Sequence, residues 1–171
     1  MSQLNVVPEM SPEELVLHVE SGAPLRVLDV RANTAGGRID IVPPESYVNI
    51  RGSQVLAMGA AVHSAVPPSD PVAVVCERGN SSKQIAAHLN ELGYKAASMR
   101  GGMAAWGIAV VARPLATPAG FDLLLQFDRV AKGATGYLLG AGDEALIVDP
   151  PRKAQAYLEA ARERGLKVVA V

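Results

Sequence analysis

Pro71-Val72-Ala73-Val74-Val75-Cys76-Glu77-Arg78-Gly79-Asn80-Ser81-Ser82, followed by Lys83-Gln84-Ile85-Ala86-Ala87-His88-Leu89-Asn90-Glu91-Leu92-Gly93, is the stretch that decides the fold. Its first part is a short, wholly apolar and β-branched run, the pattern of a strand buried on both faces. Its last part has helical spacing from about residue 80 and stops at a glycine. Between them lies a tight, polar, glycine-containing turn with Cys76 at its floor. A strand that feeds a helix through so short a turn is one unit of a parallel α/β sheet. The turn also sets Cys76 against a helix N-terminus, whose backbone N–H groups lack intrahelical partners and favour negative charge. A thiolate, or a sulfur anion attached to it, is the species such a place stabilises.

Working outward, the same alternation recurs. Ser11-Pro12-Glu13-Glu14 is a capping box with proline at the first helical position, and the helix it opens ends at Gly22. Leu25-Arg26-Val27-Leu28-Asp29-Val30-Arg31 reads as a buried strand with Asp29 and Arg31 at its carboxyl end. Residues 32–46 read as loop, Tyr47-Val48-Asn49-Ile50 as a brief strand, and residues 53–66 as a helix ended by Pro67-Pro68. Beyond the thiol loop, Ala96-Ala97-Ser98-Met99 is a further strand, and Gly101-Gly102 opens a short helix containing Trp106. In open parallel sheets ligands bind at the carboxyl ends of strands, where Asp29, Arg31 and Cys76 all fall.

Arg113-Pro114-Leu115-Ala116-Thr117-Pro118-Ala119-Gly120 has the composition of a linker. The expected organisation is a first domain over residues 1–113, a linker over 114–120 and a second segment over 121–171. In that segment Leu123–Val130, Thr135–Leu139, Ala145–Pro150 and Lys167–Val171 read as strands, with an amphipathic helix over residues 151–164.

Composition narrows the functional classes. With 16 basic and 17 acidic side chains in 171 residues and no basic run, nucleic acid and acidic membranes are not expected partners. A single cysteine cannot form an internal disulfide, which fits a reducing, cytoplasmic setting. Met1-Ser2-Gln3-Leu4-Asn5 lacks the charged and apolar regions of a signal peptide, and no apolar run has the length of a membrane span.

Residues 8–111 resemble the rhodanese family, the single-domain thiosulfate sulfurtransferases. The resemblance is carried by Leu28-Asp29-Val30-Arg31, Tyr47-Val48-Asn49-Ile50, the Cys76–Ser82 loop and Arg100-Gly101-Gly102-Met103-Ala104-Ala105-Trp106, in that order and spacing. It implies a rhodanese-like parallel sheet flanked by helices and a persulfide intermediate on Cys76. Sulfane sulfur would come from thiosulfate or a persulfide and pass to a thiol or cyanide. The amides of Glu77, Arg78, Gly79, Asn80, Ser81 and Ser82 would cradle the terminal sulfur, and Arg78 would meet the oxyanion end of the donor. Glycine at 79 allows the backbone angles such a nest needs. Helix ends and cationic neighbours lower cysteine pKa values to roughly 3.5–7.5. The carboxylate of Glu77 works the other way. Two departures stand out. Gly37-Arg38-Ile39 occupies the place of a family Gly-His-Ile, and Ser81 stands where many relatives have arginine.

Residues 121–171 resemble the start of the metallo-β-lactamase fold, in its persulfide dioxygenase and glyoxalase II-like branch, as an incomplete ββαβ segment. The residues concerned are Gly136-Tyr137-Leu138-Leu139, Ala145-Leu146-Ile147-Val148-Asp149-Pro150 and Leu166-Lys167-Val168-Val169-Ala170-Val171. A complete domain of that kind would bind iron or zinc. Its Thr-His-x-His-x-Asp-His motif would follow the last strand, so no cofactor is expected on these residues. Exposed valines on that strand would favour self-association through residues 121–171.

Plainer alternatives stand beside these. Cys76 could be a small buried hydrophobe, or the module could bind or deliver sulfur without turnover in a larger persulfide-metabolising protein. A cysteine phosphatase or arsenate reductase on a similar fold needs arginine six positions after the cysteine, and position 82 is serine. Asp29 and Arg31 read as a supporting ion pair, Trp106 as core, and His18, His63 and His88 as solvated or satisfied.

Overall fold

The computed structural model describes residues 6–151 and 154–171. The chain forms two compact units, Met1–Ile108 and Ala109–Val171.

In the first unit the elements run β1 (Glu9–Met10), α1 (Pro12–Glu20), β2 (Arg26–Asp29), β3 (Tyr47–Asn49), α2 (Gly52–Met58), β4 (Val72–Val75), α3 (Asn80–Glu91), β5 (Ala96–Met99) and α4 (Gly102–Trp106). The sheet order is β1-β5-β4-β2-β3, and every neighbouring pair is parallel. All four residues of β4 are buried, as a central strand covered on both faces requires. Side-chain alternation puts Leu28, Val72, Val74, Cys76 and Ala96 in one cluster with Val55 of α2 and Ile85, Ala86 and Leu89 of α3. The thiol therefore sits at the end of a fully packed strand.

The α1 capping box forms as its sequence predicts: Glu14 N–H donates to Ser11 Oγ at 3.1 Å, and Ser11 N–H donates to Glu14 Oε2 at 2.6 Å. The expected helix over 53–66 is broken. α2 stops at Met58, Gly59 takes φ +50°, and Gly59–Ser64 continues as a 3-10 turn. β1 is too short for periodicity to reveal. Sheet pairing defines it, with Glu9 opposite Ser98 and Met10 opposite Met99.

The second unit comprises β6 (Val111–Pro114), β7 (Leu123–Arg129), β8 (Ala134–Ala141), β9 (Glu144–Val148), α5 (Gln155–Glu163) and β10 (Lys167–Ala170). Its sheet order is β10-β9-β8-β7-β6. The β6–β7, β7–β8 and β8–β9 pairs are antiparallel, while β10 lies parallel to β9 after the α5 crossover. Leu125, Phe127, Leu138 and Ile147 pack against Tyr157, Ala160 and Ala161 of α5. The four strands expected after residue 121 are all present. The boundary differs: Val111–Pro114, expected in the first domain and the linker, is a strand paired to β7. Pro114 makes that segment read as loop, but a proline at the end of an edge strand costs no ladder bond. Among the described residues no helix is long and apolar enough to cross a membrane.

Candidate active site

β4 delivers Cys76 to the carboxyl edge of the sheet with 4% of its surface exposed. The chain then turns through Glu77, Arg78 and Gly79 into α3. Gly79 has φ +85°, a left-handed angle that other residues resist. That turn aims its own N–H back at the thiol, donating to Cys76 Sγ at 3.1 Å. The first turn of α3 adds the Ser82 hydroxyl, 3.2 Å from Sγ. Burial alone raises the pKa of this thiol. The hydroxyls of Ser81 and Ser82 and the amides of Ser82 and Arg78 outweigh burial and bring it from 9.0 down to about 7. The groups turned toward the sulfur are thus neutral donors, hydroxyls and backbone amides.

The turn is braced from below by α4. Met103 N–H donates to the Cys76 carbonyl at 2.9 Å, and Ala104 N–H donates to that of Glu77 at 3.0 Å. These are orphan amides of a helix start, satisfied by the loop. The close approach requires glycine at 102, where a methyl group would lie 2.3 Å from the Cys76 carbonyl oxygen. Gly101-Gly102 opens the helix as expected; its role in bracing the thiol loop was not legible from spacing.

The remaining predicted residues divide. Arg78, Asn80 and Ser81 are exposed at the turn, and Arg78 forms no ion pair among the described residues. Glu77 is exposed as well, with a carboxylate oxygen 3.7 Å from Arg31 Nη1. The main influences on the thiol's pKa are burial and the neutral hydroxyls and amides around it, rather than this carboxylate.

Asp29 and Arg31 form a second polar cluster at the end of β2. Arg31 Nε donates to both Asp29 oxygens at 3.0 Å, and Nη2 donates to Oδ2 at 2.7 Å. Arg31 Nη2 also donates to the Gly37 carbonyl at 2.6 Å, and Tyr47 Oη donates to Asp29. Asn49 Nδ2 donates to the Asp29 and Arg31 carbonyls, tying β3 to the end of β2. Hydrogen bonding to Asp29 raises the Arg31 pKa further above its usual range. Burial first, then Asp29, pushes the Tyr47 phenol up to about 12. The pair holds strand ends and loop together, and its link to the thiol loop runs through Glu77.

Arg38, at the place of the family histidine, lies over the Tyr47 ring at 4.5 Å and pairs with Asp40 at 3.2 Å. Trp106 is buried, as expected of a core residue. His18 is satisfied through Nε2, 3.1 Å from the Pro24 carbonyl. The buried Nε2 atoms of His63 and His88 have no hydrogen-bond partner among the described residues, which departs from the expectation for those two. Ser98 was missed. Its hydroxyl lies 2.8 Å from that of Ser82, and both residues are fully buried. The available signal was one hydroxyl residue in the otherwise apolar strand Ala96-Ala97-Ser98-Met99.

Against known proteins, the sequence model described as Rhodanese-like domain matches residues 11–109. A rhodanese-like domain protein from Staphylococcus aureus superposes with a TM-score of 0.50 at 23% identity, over 59% of this chain and 92% of that one. CoADR-RHD from Bacillus anthracis aligns at 25% identity and TM-score 0.48, over 59% of this chain and 16% of that one. A thiosulfate sulfurtransferase from Pseudomonas aeruginosa aligns at 21% identity and TM-score 0.49, over 58% of this chain and 18% of that one. This chain thus spans well under two thirds of the length of the Bacillus and Pseudomonas proteins. No curated protein matches it.

Proposed function

Because the chain belongs to the rhodanese-like domain family through residues 11–109, we propose that it is a sulfurtransferase working through a persulfide on Cys76. The observation that carries this is the setting of the thiol, buried yet held by the Gly79 amide and the Ser82 hydroxyl, with its pKa lowered to about 7. Such a thiol is substantially ionised at neutral pH and remains a competent nucleophile.

The thiolate attacks the outer sulfur of thiosulfate. A sulfur–sulfur bond forms to Cys76, the bond inside thiosulfate breaks, and its electron pair leaves with sulfite. The terminal sulfur of the persulfide then carries the negative charge, within reach of the amides of the 77–82 turn. An acceptor thiolate or cyanide attacks that sulfur, and Cys76 returns as thiolate. Arg78, exposed beside the turn, supplies planar donors for the oxyanion end of the donor. A persulfide donor would enter the same cycle with a thiolate as leaving group.

Incubation with thiosulfate is expected to add one sulfur, about 32 Da, and cyanide is then expected to release thiocyanate. Cys76→Ser should do neither. Thiocyanate turnover by Cys76→Ser would refute the mechanism, and a wild-type thiol that ionises but never gains sulfur would favour a binding module instead.

For the second unit, the resemblance to the opening of a metallo-β-lactamase fold stands as a proposal. It is supported by three antiparallel strands, a helix and a fourth strand parallel to the third. Among the described residues no three His, Cys, Asp or Glu side chains come together as a metal-ligand set. These residues do not fit the iron or zinc of that fold.

A further inference from the structure

Two buried serines stand behind the thiol, and their hydroxyls form a chain with a single outlet. Ser82 Oγ lies 3.2 Å from Cys76 Sγ and 2.8 Å from Ser98 Oγ. Each hydroxyl has one proton to donate, so the chain can run in two directions. In one, Ser98 donates to Ser82 and Ser82 donates to sulfur. Every proton is then used, and the sulfur receives Ser82 O–H alongside Gly79 N–H. In the other, the thiol donates to Ser82 and Ser82 donates to Ser98. The Ser98 proton is then left without an acceptor among the described residues. Both serines are 0% exposed, so water does not relieve that loss. The dead end at Ser98 therefore favours the direction that suits an ionised sulfur.

We propose that Ser98 is a positioning residue: by donating to Ser82 it fixes Ser82 as a donor to Cys76 and holds the sulfur ready as the nucleophile. This rests on the reading of Cys76 as the sulfur-carrying residue. Protons alone move. The thiol proton leaves to solvent, the two hydroxyls turn, and neither serine is ionised. The charged groups on the surrounding elements are Glu77 and Arg78 in the loop, Asp29 and Arg31 at the end of β2, Glu9 in β1 opposite Ser98, Lys83 in α3 and Arg100 after β5. Lys83 is engaged with Glu9 at 3.0 Å, and Arg31 with Asp29. Among the described residues none of these side chains hydrogen-bonds to either serine hydroxyl, so the hydroxyl chain is a separate influence on the thiol.

The test is the pH dependence of Cys76 alkylation by iodoacetamide in the full chain, with melting temperature measured in parallel. Ser98→Ala is expected to move the midpoint upward by about half a unit to one unit, a roughly three- to tenfold loss of thiolate below it. Ser98→Thr should restore the wild-type midpoint. A purely packing role would change melting temperature and leave the midpoint alone. If Ser98→Ala does not fold, Ser98→Thr and Ser98→Val, near-isosteres differing in the hydroxyl, should show the same separation. In the wild-type chain the Ser98 hydroxyl proton should exchange slowly and shift in proton NMR as the thiol titrates. An unmoved midpoint in folded Ser98→Ala, or a hydroxyl resonance blind to that titration, would overturn the proposal. Alkylation needs no sulfur transfer. A moved midpoint in a chain that forms no thiocyanate would leave Ser98 standing and sink the sulfurtransferase reading, and the reverse result would do the opposite.

Discussion

The ends of β4 and β2, neighbouring strands of one sheet, hold their charges by opposite means. At β4 the Cys76 sulfur is surrounded by amides and hydroxyls, with no cation bonded to it among the described residues. At β2 the Asp29 carboxylate is saturated by Arg31, the Arg31 backbone amide and Tyr47. Neutral donors lower the energy of an anion and still leave it free to attack; a bidentate guanidinium consumes the carboxylate it binds. The contrast separates the proposed reactive centre from a fastening, although both are buried polar groups at the place where α/β sheets bind ligands.

The largest effect is expected at the fastening. Asp29→Ala strands the Arg31 charge, with Arg31 only 8% exposed. Breaking one side of such a pair costs about 3–5 kcal/mol. Urea or thermal unfolding should show that loss, while any Asp29→Ala protein that stays folded should still alkylate at Cys76 near pH 7. If the thiol midpoint moved as much as the stability did, the two clusters would be one site.

At the thiol the effect should follow pH. A group whose folded pKa is depressed stabilises above its unfolded pKa and loses that contribution as pH falls through the folded value. For Cys76 the window runs from 9.0 down to about 7. Wild type should therefore gain stability over Cys76→Ala between these limits, reaching about 2–3 kcal/mol at the alkaline end. Parallel denaturation curves at both ends of the window check this, and a difference independent of pH would remove the anion-holding role from the turn.

Arg78 lies outside both clusters and should act on the donor alone. Arg78→Ala is expected to raise the thiosulfate KM by the loss of a charged hydrogen bond, about 1.5–3 kcal/mol, with little change in melting temperature. An unchanged KM would move the oxyanion end of the donor to another cation.

The geometry of the thiol turn was the more legible of the two because its information is local. A strand, a cysteine, a glycine and a helix start lie within one stretch, and each constrains the next. Asp29 and Arg31 were legible as a pair because they are two residues apart on one strand end. Tyr47, Asn49 and the Gly37 carbonyl join them through sheet register and a loop closure that no spacing encodes. The contacts of Ser98 and Gly102 were not legible for the same reason: their partners, Ser82 and the Cys76 carbonyl, come from other elements. β6 was misassigned because Pro114 speaks for a loop in sequence, while pairing with β7 is decided across the sheet.

Glu77 offers the finest test, since among the described residues its side chain is the one that reaches from the thiol loop to the other cluster. Its carboxylate is 3.7 Å from Arg31, yet its side chain is 68% exposed while that of Arg31 is 6% exposed. Solvent screens one end of this contact, so it should contribute at most about 1 kcal/mol to stability. A carboxylate next to Cys76 in sequence would ordinarily oppose ionisation of the thiol. Here the side chain turns to Arg31, and its charge is spent there and on water. Glu77→Gln should accordingly move the alkylation midpoint of Cys76 by less than about 0.3 unit and leave thiosulfate turnover near wild type. A drop of a full unit would mean that the carboxylate reaches the sulfur after all. The separation between a centre held by neutral donors and a fastening held by full charges would then fail at the residue that joins them.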